Sequence, residues 1–235
     1  MPPTRILLCR HGETDWNREG RYQGVQDIPL NAKGREQARQ LALGLAPIRI
    51  DASYSSPLSR ALETATIIVQ EQMRRRIEDV RAGGTATPPL NHEVDAGLRE
   101  ISHGQWEGRL ASEFAAQEPA AMAAWQAAPH TVHWPGGETL ADVQARAVPA
   151  LERITRANPG TIVLVVAHDA VNKALLLWAA NAPLARFWAF KQDSTCLNAI
   201  DVELQPDGSL TPVIALMNSV AHTGKLFGEL VHKAL

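Results

Sequence analysis

The distribution of apolar and polar positions along the chain predicts strands and helices in alternation. Ile6 to Cys9 is an apolar run, and Thr161 to Ala167 is nearly all apolar or β-branched, which is typical of strands covered on both faces. Apolar residues recur at helical spacing after Asn31, after Ser56-Pro57 and over Leu140 to Ala157. This alternation predicts an α/β fold, a three-layer sandwich in which a mainly parallel sheet carries helices on both faces.

Local signals place the boundaries of the remaining elements. Ser56 followed by Pro57 predicts a helix with the serine as its N-cap, and Pro47 ends the helix that Asn31 begins. Ile200 to Leu204 alternates apolar and charged residues before a turn, which predicts a hairpin with a strand returning over Leu210 to Met217. The other predicted elements are a loop over Thr14–Leu30, a strand over Ile48–Ser55, and helices over Ala111–Ala128 and Ala170–Ala180.

Composition adds limits to this picture. The 235 residues are 45% hydrophobic and 20% charged, which suits one globular domain over residues 1–235. Residues 74–90 begin with arginines and continue with glycine, threonine and proline, so they predict a flexible surface insertion. If two chains pair as a homodimer, we expect the terminal hairpin or the alanine-rich segment to form the interface.

Charge and cysteine content narrow the class of protein. A net charge of -2 argues against a nucleic-acid partner. No apolar run approaches the roughly 20 residues of a membrane span, so no membrane partner is expected. Cys9 and Cys196 lie far apart in apolar surroundings and indicate buried thiols of a reducing compartment. The sequence therefore predicts a cytoplasmic protein.

Histidines follow both strongly apolar strands. Arg10-His11 ends the first and His168 ends the later one, and ligands bind at the carboxyl ends of parallel strands. With Arg60 and Glu100, these residues would suit a phosphate group. Arginine forks bind its oxygens, and a neutral imidazole can attack phosphorus. A second, protonated imidazole can stabilise the charge, and a carboxylic acid can protonate the leaving group. Such chemistry requires no metal or cofactor.

The segment Arg10 to Asn17 resembles the signature of the histidine phosphatase superfamily, also called the phosphoglycerate mutase-like family. The resemblance covers most of the chain from Arg5 to about Leu177. It extends through the following segments: Tyr22-Gln23-Gly24, Asp27 to Leu30, Gly34, Ser55 to Ala61, Leu98 to Ile101, Gly104 to Gly108, Pro135 to Glu138 and Val166 to His168.

This resemblance implies a role for each matching position. His11 would be the nucleophile that forms a phosphohistidine, and Glu100 the proton donor and acceptor. Arg10, Arg60 and His168 would hold the phosphoryl group. The residues expected to line the phosphate and substrate side are Thr14, Asn17, Gln23, Gly24, Trp106 and Asp169. The implied partner is a small phosphorylated metabolite, and members of the family work without a metal.

Asp169 departs from the family pattern, in which a small residue follows the second histidine. Since a carboxylate beside a phosphate would repel it, the favoured interpretation is that Asp169 caps the next helix. Trp106 and Trp134 fit packing as well as substrate contact. His130 and His133 lack a nearby cysteine or acidic partner at ligand spacing, so they are interpreted as loop histidines rather than metal ligands.

Three functions compete on this sequence. Mutases of the family carry a longer basic insertion after the catalytic glutamate, whereas Arg109 is the only lysine or arginine between Ile101 and Gln144. Hydrolysis of a phosphomonoester is therefore the preferred prediction. The alternatives are a cofactor-dependent phosphoglycerate mutase and a catalytically weak module that binds a phospho-ligand. Substrate choice is expected to depend on His103, Trp106, Trp134 and the 74–90 insertion.

Overall fold

The computed structural model describes residues 2–86 and 88–228, so Met1, Thr87 and residues 229–235 lie outside the described chain. Six strands form one sheet in the order β3-β2-β4-β1-β5-β6. The first four in that order are parallel, and β5 and β6 are antiparallel to their neighbours. The strands are β1 Thr4–Arg10, β2 Ala52–Ser55, β3 His92–Val94, β4 Ile162–Ala167, β5 Leu197–Leu204 and β6 Leu210–Ser219.

Helices cover both faces of this sheet. Because side chains alternate along a strand, Leu7 and Cys9 of β1 pack against α2 and α3, while Ile6 and Leu8 pack against α6 and α7. The mainly parallel three-layer fold predicted from the sequence is confirmed. The helices are α1 Asp15–Glu19, α2 Ala32–Leu45, α3 Ser59–Arg81, α4 Ala111–Gln117, α5 Pro119–Ala127, α6 Leu140–Ala157 and α7 Asp169–Ala179.

Capping side chains fix where two of the predicted helices begin. Asn31 Oδ1 accepts a hydrogen bond from Gly34 N at 2.8 Å, so α2 begins as expected. Thr139 and Asp142 form a reciprocal capping box at the start of α6. The β5–β6 hairpin also forms as predicted, with Glu203 paired with Thr211 and Leu204 with Leu210.

The predicted N-cap at Ser56 is wrong. Leu58 precedes the first helical residue of α3, Ser59, and occupies the N-cap position, where its side chain makes no capping hydrogen bond. Asp27 Oδ1 accepts a hydrogen bond from Ser59 N at 2.6 Å instead. Ser56 Oγ instead lies 2.7 Å from His168 Nε2, and it also accepts a hydrogen bond from Leu58 N at 3.3 Å. The serine is therefore bound to a histidine that lies 112 positions later in the chain, a contact that local sequence rules do not consider.

The predicted insertion over residues 74–90 is half wrong. Residues 74–81 continue α3, because Arg74 and Arg75 pair with Glu71 and Glu78 at helical spacing on its exposed side. Residues 82–86 and 88–89 are exposed and lack regular structure. Arg76 donates hydrogen bonds to the carbonyls of Pro88 and Ile50, which ties this stretch to the body of the protein.

Three other boundaries differ from the prediction. The Thr14–Leu30 loop contains α1, which a capping box between Thr14 and Asn17 stabilises. The predicted helix over Ala111–Ala128 is two helices, because Pro119 moves the preceding Glu118 out of helical geometry. The strand predicted over Ile48–Ser55 is shorter and begins at Ala52.

Some expectations stay predictions. The prediction of a single domain over residues 1–235 stays a prediction, because it includes residues outside the described chain. β6 forms one edge of the sheet and exposes Val213 and Met217, yet homodimer formation is not tested by this. Within residues 2–86 and 88–228, no helix is long and apolar enough to cross a bilayer. Cys9 and Cys196 are both buried free thiols.

Candidate active site

The carboxyl ends of β1 and β4 bring the two predicted histidines together. The strands are parallel neighbours with Arg10 opposite Ala167, so the residues that follow, His11 and His168, lie side by side. Their ring centroids are 5.1 Å apart at an interplanar angle of 61°. Both rings are buried. Adjacent parallel strands thus explain how residues 157 positions apart form one site.

His11 is held in the form that a nucleophile needs. Its Nδ1 lies 2.6 Å from the carbonyl oxygen of Gly12, and since a carbonyl can only accept, Nδ1 carries the proton. The neutral ring then keeps its lone pair on Nε2. Burial and the nearby cations Arg60 and Arg10 hold the pKa of His11 well below its usual value. The imidazole is therefore neutral near pH 7.

Two buried arginines supply the positive charge. Arg60 donates to the carbonyls of Gly24 and Gln26, both at 2.8 Å, and Arg10 donates to the carbonyl of Gln192 at 2.6 Å. Burial lowers the pKa of Arg60 to about 10, so it remains charged near pH 7. Among the described residues, neither Arg10 Nε nor Arg60 Nε has a hydrogen-bond partner.

Gly24 and Gln26, whose carbonyls bind Arg60, lie in one loop, and the conformation of Gly24 allows this loop to pack closely against Glu107. The φ of Gly24, +52°, is a left-handed conformation that glycine tolerates, and a Cβ there would meet Glu107 Oε1 at 2.1 Å. The carboxylate of Glu107 accepts hydrogen bonds from the backbone N–H groups of Val25 and His103, both at 3.1 Å. Glu107 therefore connects the loop that holds Arg60 to the segment that follows Glu100.

His168 binds Ser56 with Nε2, while its Nδ1 has no hydrogen-bond partner among the described residues. Burial, together with Arg60, His11 and Arg10, holds the pKa of His168 well below its usual value. These neighbours thus disfavour the protonated second imidazole that was expected from the sequence. A phosphate dianion bound between these groups would raise that pKa again, because an opposite charge stabilises the imidazolium form.

Glu100 lies in an irregular segment after the 3₁₀ turn Ala96–Leu98 and is buried. Burial and the nearby Asp169 raise the pKa of Glu100, while the Ile101 N–H, Arg60 and Arg10 oppose that shift. A carboxyl group in this environment keeps its proton to a higher pH than an exposed one. That property suits a general acid.

Thr14, Asn17 and Gln23 form one polar network in the segment that follows His11. The hydroxyl of Thr14 donates to Gln23 Oε1 at 2.8 Å, and Asn17 N donates to Thr14 Oγ1 at 3.1 Å. Asn17 and Arg10 also border a cleft of about 470 Å³ that reaches the C-terminal segment around Thr223. The predicted contacts of these three side chains with substrate stay predictions.

Asp169 does not cap α7, so that interpretation is corrected. His168 occupies the N-cap position and Asp169 is the first helical residue. The Asp169 carboxylate lies 2.8 Å from Lys173 Nζ and 3.8 Å from Arg10 Nη1. Lys173 is buried and its Nζ lies 4.6 Å above the ring of Phe187. Asp169 thus forms an ion pair with a buried lysine. Helix-capping preferences, which consider only the residues at the end of a helix, do not predict this pair.

Trp106 packs on Phe114 with ring centroids 4.2 Å apart, and the guanidinium of Arg109 lies 4.7 Å from the Trp106 centroid. Trp134 is buried against His103 at 4.6 Å. A narrow cavity beside Glu100 has aromatic walls that include Trp125, a residue the sequence did not single out. Its lining residues are Tyr22, Glu100, Ile101, His103, Trp125, Asp169, Ala170, Phe187 and Trp188.

Sequence reasoning missed the residues that hold the site together. Ser56 binds His168, Gln192 binds Arg10, and Thr64 Oγ1 accepts a hydrogen bond from Gly12 N at 3.1 Å. None of them carries a local signal of this role. Within the described residues, no cluster of three or more histidine, cysteine, aspartate or glutamate side chains could hold a metal ion.

Comparison with known proteins agrees with this geometry. Residues 6–209 match the family described as the histidine phosphatase superfamily (branch 1). The chain belongs to that superfamily. Members with similar sequences are named phosphatases, and this protein is a phosphatase of the same family. The recognition made from Arg10 to Asn17 and its matching segments is confirmed.

Relatives of this histidine phosphatase cover most of its length. Phosphoserine phosphatase 1 of Hydrogenobacter thermophilus is 32% identical over 231 residues, covering 98% of this chain and 99% of that protein. A metal-independent phosphoserine phosphatase of Arabidopsis thaliana is 35% identical, covering 77% and 71%. The structure of Bacillus stearothermophilus YhfR is 35% identical with a TM-score of 0.79, covering 93% of this chain and 98% of its own.

Proposed function

We propose that the protein hydrolyses a small phosphomonoester through a phosphohistidine at His11, with Glu100 as proton donor and acceptor. Buried nitrogen atoms that have no hydrogen-bond partner among the described residues support this proposal: Arg10 Nε, Arg60 Nε and His168 Nδ1. Leaving a buried donor such as either arginine Nε unsatisfied costs about 1–3 kcal/mol. Arg10 and Arg60 lower the pKa of His11 through their charges, and the ring centroids of His168 and His11 lie 5.1 Å apart, so we expect an anion bound at His11 to satisfy these atoms.

The reaction has two steps. His11 Nε2 attacks phosphorus and forms the N–P bond while the P–O bond to the leaving group breaks, and Glu100 gives its proton to the leaving oxygen. Water then attacks the phosphohistidine, the carboxylate of Glu100 takes a proton from it, and inorganic phosphate leaves. Arg10, Arg60 and His168 stabilise the phosphoryl oxygens in both steps. Glu100 ends as it began, with one proton.

Rapid-quench trapping tests this mechanism. During turnover of a phosphomonoester labelled at phosphorus, the protein should carry an acid-labile, alkali-stable phosphoryl group, and His11→Ala should abolish both the label and activity. His133→Ala, which changes an exposed histidine, is the matched control. Full activity of the His11 variant would overturn the proposal. Equal rates with and without a chelator are expected, because the proposed steps use no metal.

The substrate class is proposed as a small polar phosphomonoester in the cytoplasm. One relative is named for phosphoserine, a small ester of this type, and another is named for adenosylcobalamin and α-ribazole. A phosphate-release screen over such esters would narrow the choice. Isotope exchange between 2- and 3-phosphoglycerate that outruns phosphate release would favour the mutase alternative. Tight vanadate binding without turnover of any ester would favour the binding module.

A further inference from the structure

Arg146 of α6 contacts the backbone of the segment that carries Glu100. It donates to the carbonyls of Gly97 at 2.9 Å, Arg99 at 2.6 Å and Glu100 at 3.0 Å. Its remaining donors bind both carboxylate oxygens of Glu138, at 2.7 and 2.9 Å. An arginine side chain has five N–H donors, so all of them are used here.

Glu138 holds the other side of the same segment. Its Oε2 accepts a hydrogen bond from Ser102 N at 3.0 Å, and its own N–H donates to Ser102 O at 2.9 Å. The pair therefore fixes the backbone immediately before and after Glu100. The exposed fractions of the Arg146 and Glu138 side chains are 19% and 27%, so solvent competes with these bonds only in part.

Gly97 permits this approach of helix and segment. A Cβ at Gly97 would lie 2.7 Å from the Cβ of Ala150 and 2.9 Å from the carbonyl oxygen of Arg146. The segment from Gly97 to Ser102 has no α-helix or strand of its own beyond the short 3₁₀ turn. Its position thus depends on side chains of other elements rather than on a ladder of backbone hydrogen bonds.

We infer that the Glu138–Arg146 pair is a positioning device for the proton donor, a role that rests on the proposed function of Glu100. The guanidinium binds the backbone carbonyls around Glu100, so it acts through that residue and not on the phosphoryl group. A general acid must lie within hydrogen-bond reach of the leaving oxygen, and a misplacement of about 1 Å can lower a rate by roughly 10²-fold. A lysine would keep the charge but lacks the planar fork that binds five acceptors.

The test compares leaving groups. An alkyl phosphate needs protonation of its alkoxide, whereas 2,4-dinitrophenyl phosphate leaves without it. For Arg146→Lys we expect kcat/KM to fall by about 30- to 100-fold with the alkyl ester and by less than about threefold with the dinitrophenyl ester. Inhibition by vanadate, which reports the phosphate side, should be unchanged. Arg153→Lys is the control, because Arg153 lies on the same helix but binds Asp95.

Two further variants distinguish a failure of the positioning role from a failure of the proposed acid role of Glu100. Glu138→Gln retains the size of the side chain and removes its charge, so it should show the same dependence on leaving group, even if Arg146→Lys folds poorly. Glu100→Gln tests the proposed function itself. Equal losses of Glu100→Gln on both esters would overturn the role of Glu100 as acid. Leaving-group dependence in Glu100→Gln, but not in Arg146→Lys and Glu138→Gln, would overturn the positioning role alone.

Discussion

The two sides of the site are built in different ways. The phosphate side, formed by Arg10, His11, Arg60 and His168, lies at the ends of strands β1 and β4 and in the first turn of α3. The acid side, residues 97–107 with Glu100, lies between regular elements and is held by the side chains of Glu138 and Arg146. Backbone hydrogen bonds of strands and a helix position the first side, with added contacts from Ser56 and Thr64, whereas side-chain contacts position most of the second.

This difference in construction suggests that the two sides of the site have different tasks. Strand ends in a buried parallel sheet are rigid, and under the proposed function the charges they hold would bind the same phosphoryl group in every ester. Irregular segments tolerate changes of sequence more readily, because they have fewer backbone hydrogen bonds that a substitution would disturb. We therefore expect substitutions on the phosphate side to affect all substrates alike, and those on the acid side to affect substrates according to their leaving group.

The largest expected effect comes from Glu100→Gln, which breaks the acid side alone. It should lower kcat/KM for an alkyl phosphate by roughly 10²- to 10⁴-fold. The wild-type pH profile should be bell-shaped. Activity falls at low pH as His11, whose pKa is lowered, gains a proton, and falls at high pH as Glu100, whose pKa is raised, loses one.

The variant should keep the low-pH limb and lose the high-pH limb, measured as kcat/KM against pH. Glu93→Gln, at an exposed position just before this segment, is the control and should keep both limbs. A flat wild-type profile from acid to neutral pH would contradict the assignment of these two groups.

An intermediate effect is expected from Glu107→Gln, because Glu107 joins the two sides. Its carboxylate accepts from Val25 N and Gln26 Nε2 on one side and from Ser102 Oγ and His103 N on the other. Loss of one acceptor oxygen should lower kcat/KM by roughly 10-fold with both alkyl and dinitrophenyl esters.

This uniform loss distinguishes Glu107 from Arg146. Steady-state kinetics on both esters measures it, with Glu113→Gln as control, since exposed Glu113 caps α4 away from these contacts. A loss confined to the alkyl ester would mean that Glu107 supports the acid side only.

The smallest expected effect concerns stability. Burial lowers the pKa of His103 to about 3, against opposing contributions from Asp169 and Glu138. The unfolded chain takes up a proton on this residue below about 6.5, whereas the folded protein does not until near 3. The free energy of unfolding therefore falls as pH decreases through that interval, by at most about 1.4 kcal/mol per pH unit for one group.

His103→Phe keeps the aromatic packing and removes the titration. Urea unfolding at several pH values between 4 and 7 should show a weaker pH dependence than in the wild type, where His11 and His168 also contribute with the same sign. An unchanged slope would show that His103 is protonated in the folded protein.

The sequence predicted the phosphate side better than the acid side. The run from Ile6 to Cys9 predicts a strand that ends near His11, and the structure places the end of β1 at Arg10, because strand burial and turn signals are local. Ser56 illustrates the limit. Its pairing with Pro57 favours a helix cap, yet its hydroxyl is bound to His168, and no local rule weighs a contact across 112 residues.

By itself, the sequence determined the α/β class and the family, and it supplied the residues that we propose perform the reaction, because each depends on periodicity or on an ordered motif. Only the tertiary structure decided what holds Glu100 in place, why Asp169 faces Lys173, and which buried nitrogen atoms have no hydrogen-bond partner among the described residues. These depend on burial and on distances between residues far apart in the chain. As water is excluded, the interaction between two charges becomes stronger and an unpaired polar group becomes more costly. The whole fold determines which groups are buried.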